Sequence, residues 1–266
     1  MWRQRRSRKY SMNLFDLSGK VAIVTGGNGG IGLGMARGMA RAGASIAVAA
    51  RNAVKNAAAV AELDPLGAGR CIAVEVDITD SASISSMVEA VVRQLGGINI
   101  LVNNAGTNIR QRPEALAEAD WHTVINTNLS SAFLCSKACY PSLQAAGGGK
   151  VMNNGSMLSI FGSPWGPAYA ASKGGMVQLT KSLATAWAAD NIQVNCFLPG
   201  WIDTELTQRA RQDVDGLHDH VLKRTPAERW GHIDDFQGIA VFLASAASDF
   251  VTGAAIPIDG GFSVNI

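Results

Sequence analysis

Val21-Ala22-Ile23-Val24-Thr25-Gly26-Gly27-Asn28-Gly29-Gly30-Ile31-Gly32 is the stretch whose reading decides the fold. Val21 to Val24 form a short apolar run suited to a buried strand. Glycines then crowd the chain, and beyond them Leu33, Met35, Ala36, Met39 and Ala40 recur at helical spacing. Strand, glycine turn and helix, in that order, are the context in which glycines cradle a phosphate. Without Cβ atoms the backbone can approach a pyrophosphate closely. The free N–H groups and the positive end of the helix then face the anion. Two registers fit: Gly27, Gly29 and Gly32 make G-x-G-x-x-G, while Thr25, Gly26, Gly30 and Gly32 make T-G-x-x-x-G-x-G. On either one, Gly26, Asn28, Gly30, Ile31 and Gly32 are the candidate cofactor contacts of the turn.

Outward from this turn, strand-like and helix-like stretches alternate. Apolar runs recur at Ser45–Ala50, Cys71–Val76, Ile98–Val102, Lys150–Asn153, Ile192–Leu198 and Ala255–Ile258. Helical patterns lie between them at Asn52–Leu63, Ser81–Leu95, Trp121–Gln144, Tyr169–Ala189 and Ile233–Ser245. The alternation predicts one α/β domain, a doubly wound, seven-stranded parallel sheet covered by helices on both faces. Ligands of such sheets bind beyond the carboxyl ends of the strands.

Composition supports a sizeable core, since 47% of the 266 residues are hydrophobic and only 17% charged. The net charge is +2, but Arg3, Arg5, Arg6, Arg8 and Lys9 supply five positive charges in the first nine residues, leaving the body at −3. A basic face for nucleic acid is therefore not expected. Residues 1–11 are expected to be a disordered tail or a mis-assigned start, with Met12 the initiator. The tail lacks the apolar core of a secretion signal, and no run approaches the roughly 18 apolar residues of a membrane span. Cys71, Cys135, Cys139 and Cys196 have no further ligands nearby and read as buried free thiols, with no metal, suited to a reducing cytoplasm.

Polar motifs fall at the predicted strand ends. The second strand closes in Ala50-Arg51-Asn52, about 20 residues past the glycine turn, where an acid would take the ribose of NAD and an arginine the 2′-phosphate of NADP. Arg51 therefore favours NADP, with NAD the lesser option. Asp77-Ile78 closes the third strand and Asn103-Asn104-Ala105-Gly106 the fourth, where Asp77 could accept from an adenine amino group. Tyr169 and Lys173 are four residues apart and so share one helix face. A phenol titrates near ~10 and is a poor base at neutral pH. A nearby ammonium favours the phenolate, so Tyr-x-x-x-Lys is a proton donor with a built-in tuner. Ser156 lies just past the fifth strand, where its hydroxyl can reach a substrate oxygen.

In order and spacing, Thr25-Gly26…Gly30-Ile31-Gly32, Asn103-Asn104-Ala105-Gly106, Asn128, Ser156, Tyr169-Ala170-Ala171-Ser172-Lys173 and Pro199-Gly200…Thr204 resemble the short-chain dehydrogenase/reductase family, from about Leu14 to the C-terminus. The resemblance implies a Rossmann-type fold, a nicotinamide cofactor, a homotetramer and interconversion of a secondary alcohol and a ketone. It implies that Tyr169 moves the proton, Ser156 polarises the carbonyl, and Lys173 tunes the phenol and binds the nicotinamide ribose. Asn128 would hold the water linking Lys173 to solvent, and Pro199, Gly200, Ile202 and Thr204 would contact the nicotinamide end. Gly155-Ser156-Met157-Leu158-Ser159, Arg224-Thr225-Pro226-Ala227-Glu228-Arg229-Trp230-Gly231 and Ala247-Ser248-Asp249-Phe250-Val251-Thr252-Gly253 resemble the sugar-acid members, gluconate and 2-deoxygluconate dehydrogenases. Asn154 departs from the apolar residue usual before Gly155-Ser156.

The substrate expected is a small polyhydroxy acid or its ketone. Asn108, Arg110, Met157, Trp165 and Trp201 are its candidate contacts; Arg110 could pair with a carboxylate, and flat rings suit the apolar face of a sugar chain. The loop Asp203–Arg229 is expected to be a mobile lid over the substrate. The alternative is a 3-oxoacyl carrier-protein reductase. Those enzymes commonly place arginines on the two long helices, where Leu134 and Thr185 stand here. A binding protein without catalysis on the same fold is disfavoured by the complete Asn128, Ser156, Tyr169, Lys173 set.

Overall fold

Each apolar run becomes a strand and each helical pattern a helix in the structure, a computed structural model that describes residues 13–67 and 69–265. The basic tail and Met12 lie outside the described residues. Chain order is β1 (Val21–Thr25), α1 (Gly30–Arg41), β2 (Ser45–Ala50), α2 (Ala53–Leu63), β3 (Cys71–Glu75), α3 (Ser81–Leu95), β4 (Ile100–Asn103), α4 (Glu118–Ile125), α5 (Ser131–Ala145), β5 (Gly149–Asn154), α6 (Pro167–Trp187), β6 (Ile192–Pro199), α7 (Glu205–Asp213), α8 (Leu217–Arg224), α9 (Gln237–Ala244) and β7 (Ala255–Ile258). All strands are parallel, in the order β3-β2-β1-β4-β5-β6-β7. The chain winds outward from β1 to β3 and then returns to β4 on the other side of β1. That reversal opens a crevice above the carboxyl ends of β1 and β4, where Val24 pairs with Val102.

Side chains alternate across the sheet, as the pleat requires. Ala22 and Val24 pack with Met35, Met39, Ala240 and Leu243 of α1 and α9, whereas Val21 and Ile23 pack with Met87, Cys135, Leu143 and Leu183 of α3, α5 and α6. Both faces are covered, which is why every residue of β1 is buried. Burying a Leu, Ile or Met side chain in either layer contributes about 1.5–3 kcal/mol.

Local chemistry sets the ends of the helices. Asn52 caps α2 by accepting from the Lys55 N–H at 2.9 Å. Asp80 caps α3 through the Ala82 and Ser83 N–H groups, and Gly96 closes that helix at φ 88°. Two segments differ from the sequence reading. The long helix read over Trp121–Gln144 begins at Glu118 and is interrupted by a π turn at Asn126–Ser130. The lid segment is not a loop. It holds α7 and α8, closed around a small core of Ala210, Leu217 and Val221 with Trp201 and Trp230 against it.

Candidate active site

The glycine turn leaves β1 with Gly26 at φ 64° and enters α1 with Gly30 at φ 52°, conformations a side chain would strain. A Cβ on Gly26 would also come within 3.1 Å of the Ala105 backbone. Asn104 locks this approach. Its backbone N–H donates to Thr25 Oγ1 (3.0 Å), and its side-chain Nδ2 donates to the carbonyls of Thr25 (3.0 Å) and Gly26 (3.2 Å). Helix α1 starts with no capping side chain and no acid in its first turn, so its N–H groups remain available to an anion.

A cleft of about 440 Å³ runs from this turn past the ends of β2 and β3. Gly26, Asn28, Arg51, Asn52, Asp77, Ile78, Ala105 and Gly106 all line it. Asn28 donates to Asn56, which is itself fully buried and donates to the Ala50 carbonyl, tying the turn to β2. The Thr79 hydroxyl and backbone N–H both hold the Asp77 carboxyl below the usual carboxylate range, helped by the charge of Arg51. The cradle, the open helix terminus and the basic far end together fit a dinucleotide with an extra phosphate.

The polar groups expected to carry chemistry meet at the ends of β4, β5 and α6. Tyr169 and Lys173 sit on one face of α6, with Lys173 Nζ 5.5 Å from the centroid of the Tyr169 ring. Lys173 is 3% exposed and donates to the Asn154 carbonyl at 2.6 Å. Burial lowers its ammonium to about 8. Burial raises the Tyr169 phenol, while the Ser156 hydroxyl and the positive charge of Arg110 pull it back down. Ser156 is held at the tip of β5, where its Oγ accepts from the Leu158 N–H and its own N–H donates to Ser159 Oγ. Ser159 Oγ in turn donates to the Lys173 carbonyl at 2.8 Å, fixing the serine turn to α6. Asn128 lies in the π turn; its side chain exchanges two bonds with the Thr107 backbone and donates to Ser172 at 3.0 Å. A π turn realigns helix carbonyls locally and recurs at functional sites.

Asn154 acquires a place in this network. Its Nδ2 donates to Asn104 Oδ1 at 2.9 Å, so one chain of bonds runs from the Gly26 carbonyl through Asn104 and Asn154 to Lys173. The preceding Asn153 is fully buried and satisfied by Asn103 and Thr180, which accounts for a polar pair at the end of a buried strand.

A second cavity, about 490 Å³, opens over Ser156 and Tyr169. Asn108, Arg110, Met157, Trp165, Pro199, Gly200 and Trp201 line it. The Asn108 Oδ1 atom is buried there and has no hydrogen-bond partner among the described residues. Trp165 is half exposed at the rim, with the Arg112 guanidinium over its ring. Trp201 packs edge-on against Trp230. Ile202 bridges to Gly231, and Thr204 caps α7 with its methyl 3.5 Å from the Cβ position of Gly30. The loop after β6 thus touches the glycine turn. Ile31 packs against the α1 core, and Gly32 lies against Asn104, behind the cleft.

Several residues in these cavities escape sequence reasoning. Lys55 enters the dinucleotide cleft and pairs with Glu205 of α7 at 2.9 Å; its position one turn into the helix that follows Arg51 is a usable signal. His220, Leu206 and Phe262 join the second cavity from α8, α7 and the C-terminal segment with no local pattern to mark them, and Arg224, read only as the start of a stretch resembling the sugar-acid members, joins it from the end of α8. The four cysteines are buried and free; burial raises Cys71 and Cys196 to about 11 and Cys135 to about 12. Among the described residues no cluster of three or more His, Cys, Asp or Glu could hold a metal, and no helix is long and apolar enough to cross a membrane.

Comparison with known proteins agrees with this geometry. A family model described as enoyl-(acyl carrier protein) reductase matches residues 26–263. Gluconate 5-dehydrogenase of Gluconobacter oxydans is 39% identical over 96% of this chain and 98% of its own length. The 2-dehydro-3-deoxy-D-gluconate 5-dehydrogenase of Dickeya dadantii is 40% identical over 94% and 98%. A gluconate 5-dehydrogenase from Burkholderia cenocepacia, solved in complex with NADP and tartrate, superposes with a TM-score of 0.89 at 39% identity, covering 96% of this chain and 99% of that one. With a parallel seven-stranded sheet, a glycine turn at its switch point and relatives of this identity along nearly the whole length, the chain belongs to the short-chain dehydrogenase/reductase family, the NAD(P)-dependent oxidoreductases.

Proposed function

We propose that this protein interconverts a secondary hydroxyl and a ketone on a sugar acid, using NADP. The observation that carries the reading is the cavity itself. It sets Ser156 and Tyr169 beside a buried, unpartnered Asn108 carbonyl oxygen and the cationic Arg110. A buried bare acceptor costs free energy unless a ligand donor meets it. A polyhydroxy substrate brings such donors; an acyl chain does not.

In this reading a bound nicotinamide supplies or accepts the hydride. Tyr169 gives the proton to the nascent alkoxide, or takes it from the alcohol in the reverse direction, and Ser156 donates to the same oxygen. Lys173 orients the cofactor ribose and lowers the working pKa of Tyr169 once its ammonium and the phenol act on a shared ligand. Asn128 holds the water through which Lys173 reaches solvent. Gly26, Asn28 and the first-turn backbone N–H groups of Gly30, Ile31 and Gly32 would hold the pyrophosphate, Asp77 and Ile78 the adenine, and Asn104, Ala105, Gly106, Pro199, Gly200, Ile202 and Thr204 the nicotinamide half. Arg51 and Asn52 receive the 2′-phosphate; no acid stands beside Arg51 in the Ala50-Arg51-Asn52 strand end to repel it. Met157, Trp165 and Trp201 supply the apolar faces against which a sugar chain lies.

We also assign a homotetramer in the cytoplasm. Phe133 on α5 is 45% exposed and Trp121 on α4 is 37% exposed, an apolar surface that twofold pairing would cover. The free thiols accord with a reducing compartment.

The deciding experiment compares kcat/KM with NADP(H) on gluconate and keto-gluconate against a 3-oxoacyl thioester. Turnover of the sugar acid well above that of the thioester is expected. Efficient thioester reduction with no sugar-acid turnover would overturn the proposal.

A further inference from the structure

Arg224 closes α8 and lines the cavity over Ser156 and Tyr169. Its guanidinium carbon lies 4.5 Å from the centroid of Phe262 and 5.5 Å from that of Phe161. Those rings stand edge to face, 6.5 Å apart, and both line the same cavity. Two aromatic faces therefore hold the cation while its N–H edge stays available. The neighbouring arginines of this region are committed elsewhere: Arg211 pairs with Asp203 and Arg229 with Asp235. None of the ion pairs among the described residues includes Arg224. His220, one helical turn earlier on α8, faces the same space.

A half-buried cation on a cavity wall, stacked and without a counter-ion, is matched by an anion from the ligand. The sequence points to Arg110 for that role, but the charge of Arg110 reaches the Tyr169 phenol. Both arginines line the cavity, and it is Arg224 that is stacked on Phe161 and Phe262 at the end of α8. The acid group of an aldonate is separated from the reacting carbon by several others and needs a different partner.

We infer that Arg224, assisted by His220, is the carboxylate receptor of this site and determines its specificity for acids over neutral polyols. The inference rests on the sugar-acid reading and deepens it. It also gives α8 a part in recognition. Helix α8 carries the group that would meet the substrate's far end.

The test uses full-length, NADP-loaded protein with Arg224→Gln, Arg224→Lys and His220→Gln, each checked for an unchanged melting profile. Arg224→Gln is expected to raise KM for the sugar acid roughly ten- to a hundredfold, with kcat changed less than about twofold. KM for the corresponding neutral ketose should stay where it is. Arg224→Lys keeps the charge without the fork and should recover part of the loss. Calorimetric titration with tartrate gives a readout independent of turnover, and its affinity should fall in Arg224→Gln by the same factor. Equal losses on acid and neutral substrates, or unchanged tartrate binding in Arg224→Gln, would overturn the inference. If the wild type turns over no sugar acid yet binds tartrate through Arg224, the functional reading falls and the receptor stands; if it binds no carboxylate at all, both fall.

Discussion

Replacing Lys173 with methionine isolates the energetic cost of placing an ammonium beneath the active site. Lys173 is 3% exposed, and burial brings its ammonium from 10.5 to about 8. A difference of roughly 2.5 pKa units corresponds to about 3 kcal/mol between the charged and neutral forms. Below pH 8 the lysine is charged in both folded and unfolded protein, and the folded state bears the whole penalty. Between about 8 and 10.5 the folded protein sheds this proton while the unfolded chain keeps it. The unfolded state then binds more protons, so stability rises with pH through that window. Lys173→Met removes the ionisation altogether and has no such slope. Loss of the bond to the Asn154 carbonyl adds an offset, but neutral lysine also donates, so that offset changes little with pH. The expected result is that wild type gains on the variant by about 2–3 kcal/mol between pH 7 and pH 10. Urea unfolding of the nucleotide-free proteins, at one protein concentration across that range, measures it. The other alkaline groups are common to both chains and cancel, except Cys196, whose thiol the Lys173 charge lowers; at about 11 it lies above the pH range used. A stability gap that stays constant with pH, or moves the other way, would refute the claim that burial governs this lysine. The same variant should be inactive, which would place the stored cost at the site that uses it.

Tyr169→Phe removes the hydroxyl that moves the proton and should lower kcat by about 10²–10⁴-fold while NADPH binding is retained; near wild-type turnover would contradict the assigned role. Arg51→Ala should weaken NADPH by about tenfold or more and leave NADH little changed, and Ala50→Asp should shift preference toward NADH. A wild type that prefers NADH in fluorescence titration would overturn the phosphate assignment. Light scattering at micromolar concentration should give a tetramer mass, and Phe133→Glu should reduce it; a monomeric wild type would sink the pairing proposed for α4, α5 and α6.

The parts of the site that are legible from sequence are those built by local periodicity. The glycine turn can be read because the apolar run before it and the helical spacing after it fix its place at a strand end. Tyr169 and Lys173 can be read because four residues on a helix mean one face. Asn52 is legible in position, and the structure adds that it also caps α2. Asn154 is not legible. Its partner Asn104 lies 50 residues away, and the two meet only because β4 and β5 pair with Asn103 opposite Asn153. Strand register is a tertiary quantity, and a departure from an apolar position carries no hint of which neighbour will satisfy it.

The lid departs from its sequence reading for a related reason. Glu205–Asp213 offers only Leu206 and Ala210 as apolar residues, too few for helical spacing to stand out. Much of what fastens α7 and α8 comes from two tryptophans outside them in sequence. Trp230 stacks under the Arg211 guanidinium at 3.9 Å and donates to His218 Nδ1 at 3.1 Å, while Trp201 meets Trp230 from the end of β6. The two helices are therefore held by a cation, an imidazole and a pair of indoles added to their own small core of Ala210, Leu217 and Val221. A helix pair fastened in this way can be polar on its cavity side without losing its hold on the body. That freedom is what allows His220 and Arg224 to line the cavity over Tyr169, and with the carboxylate contact proposed above it would make substrate selection a property of α8 more than of the sheet beneath it.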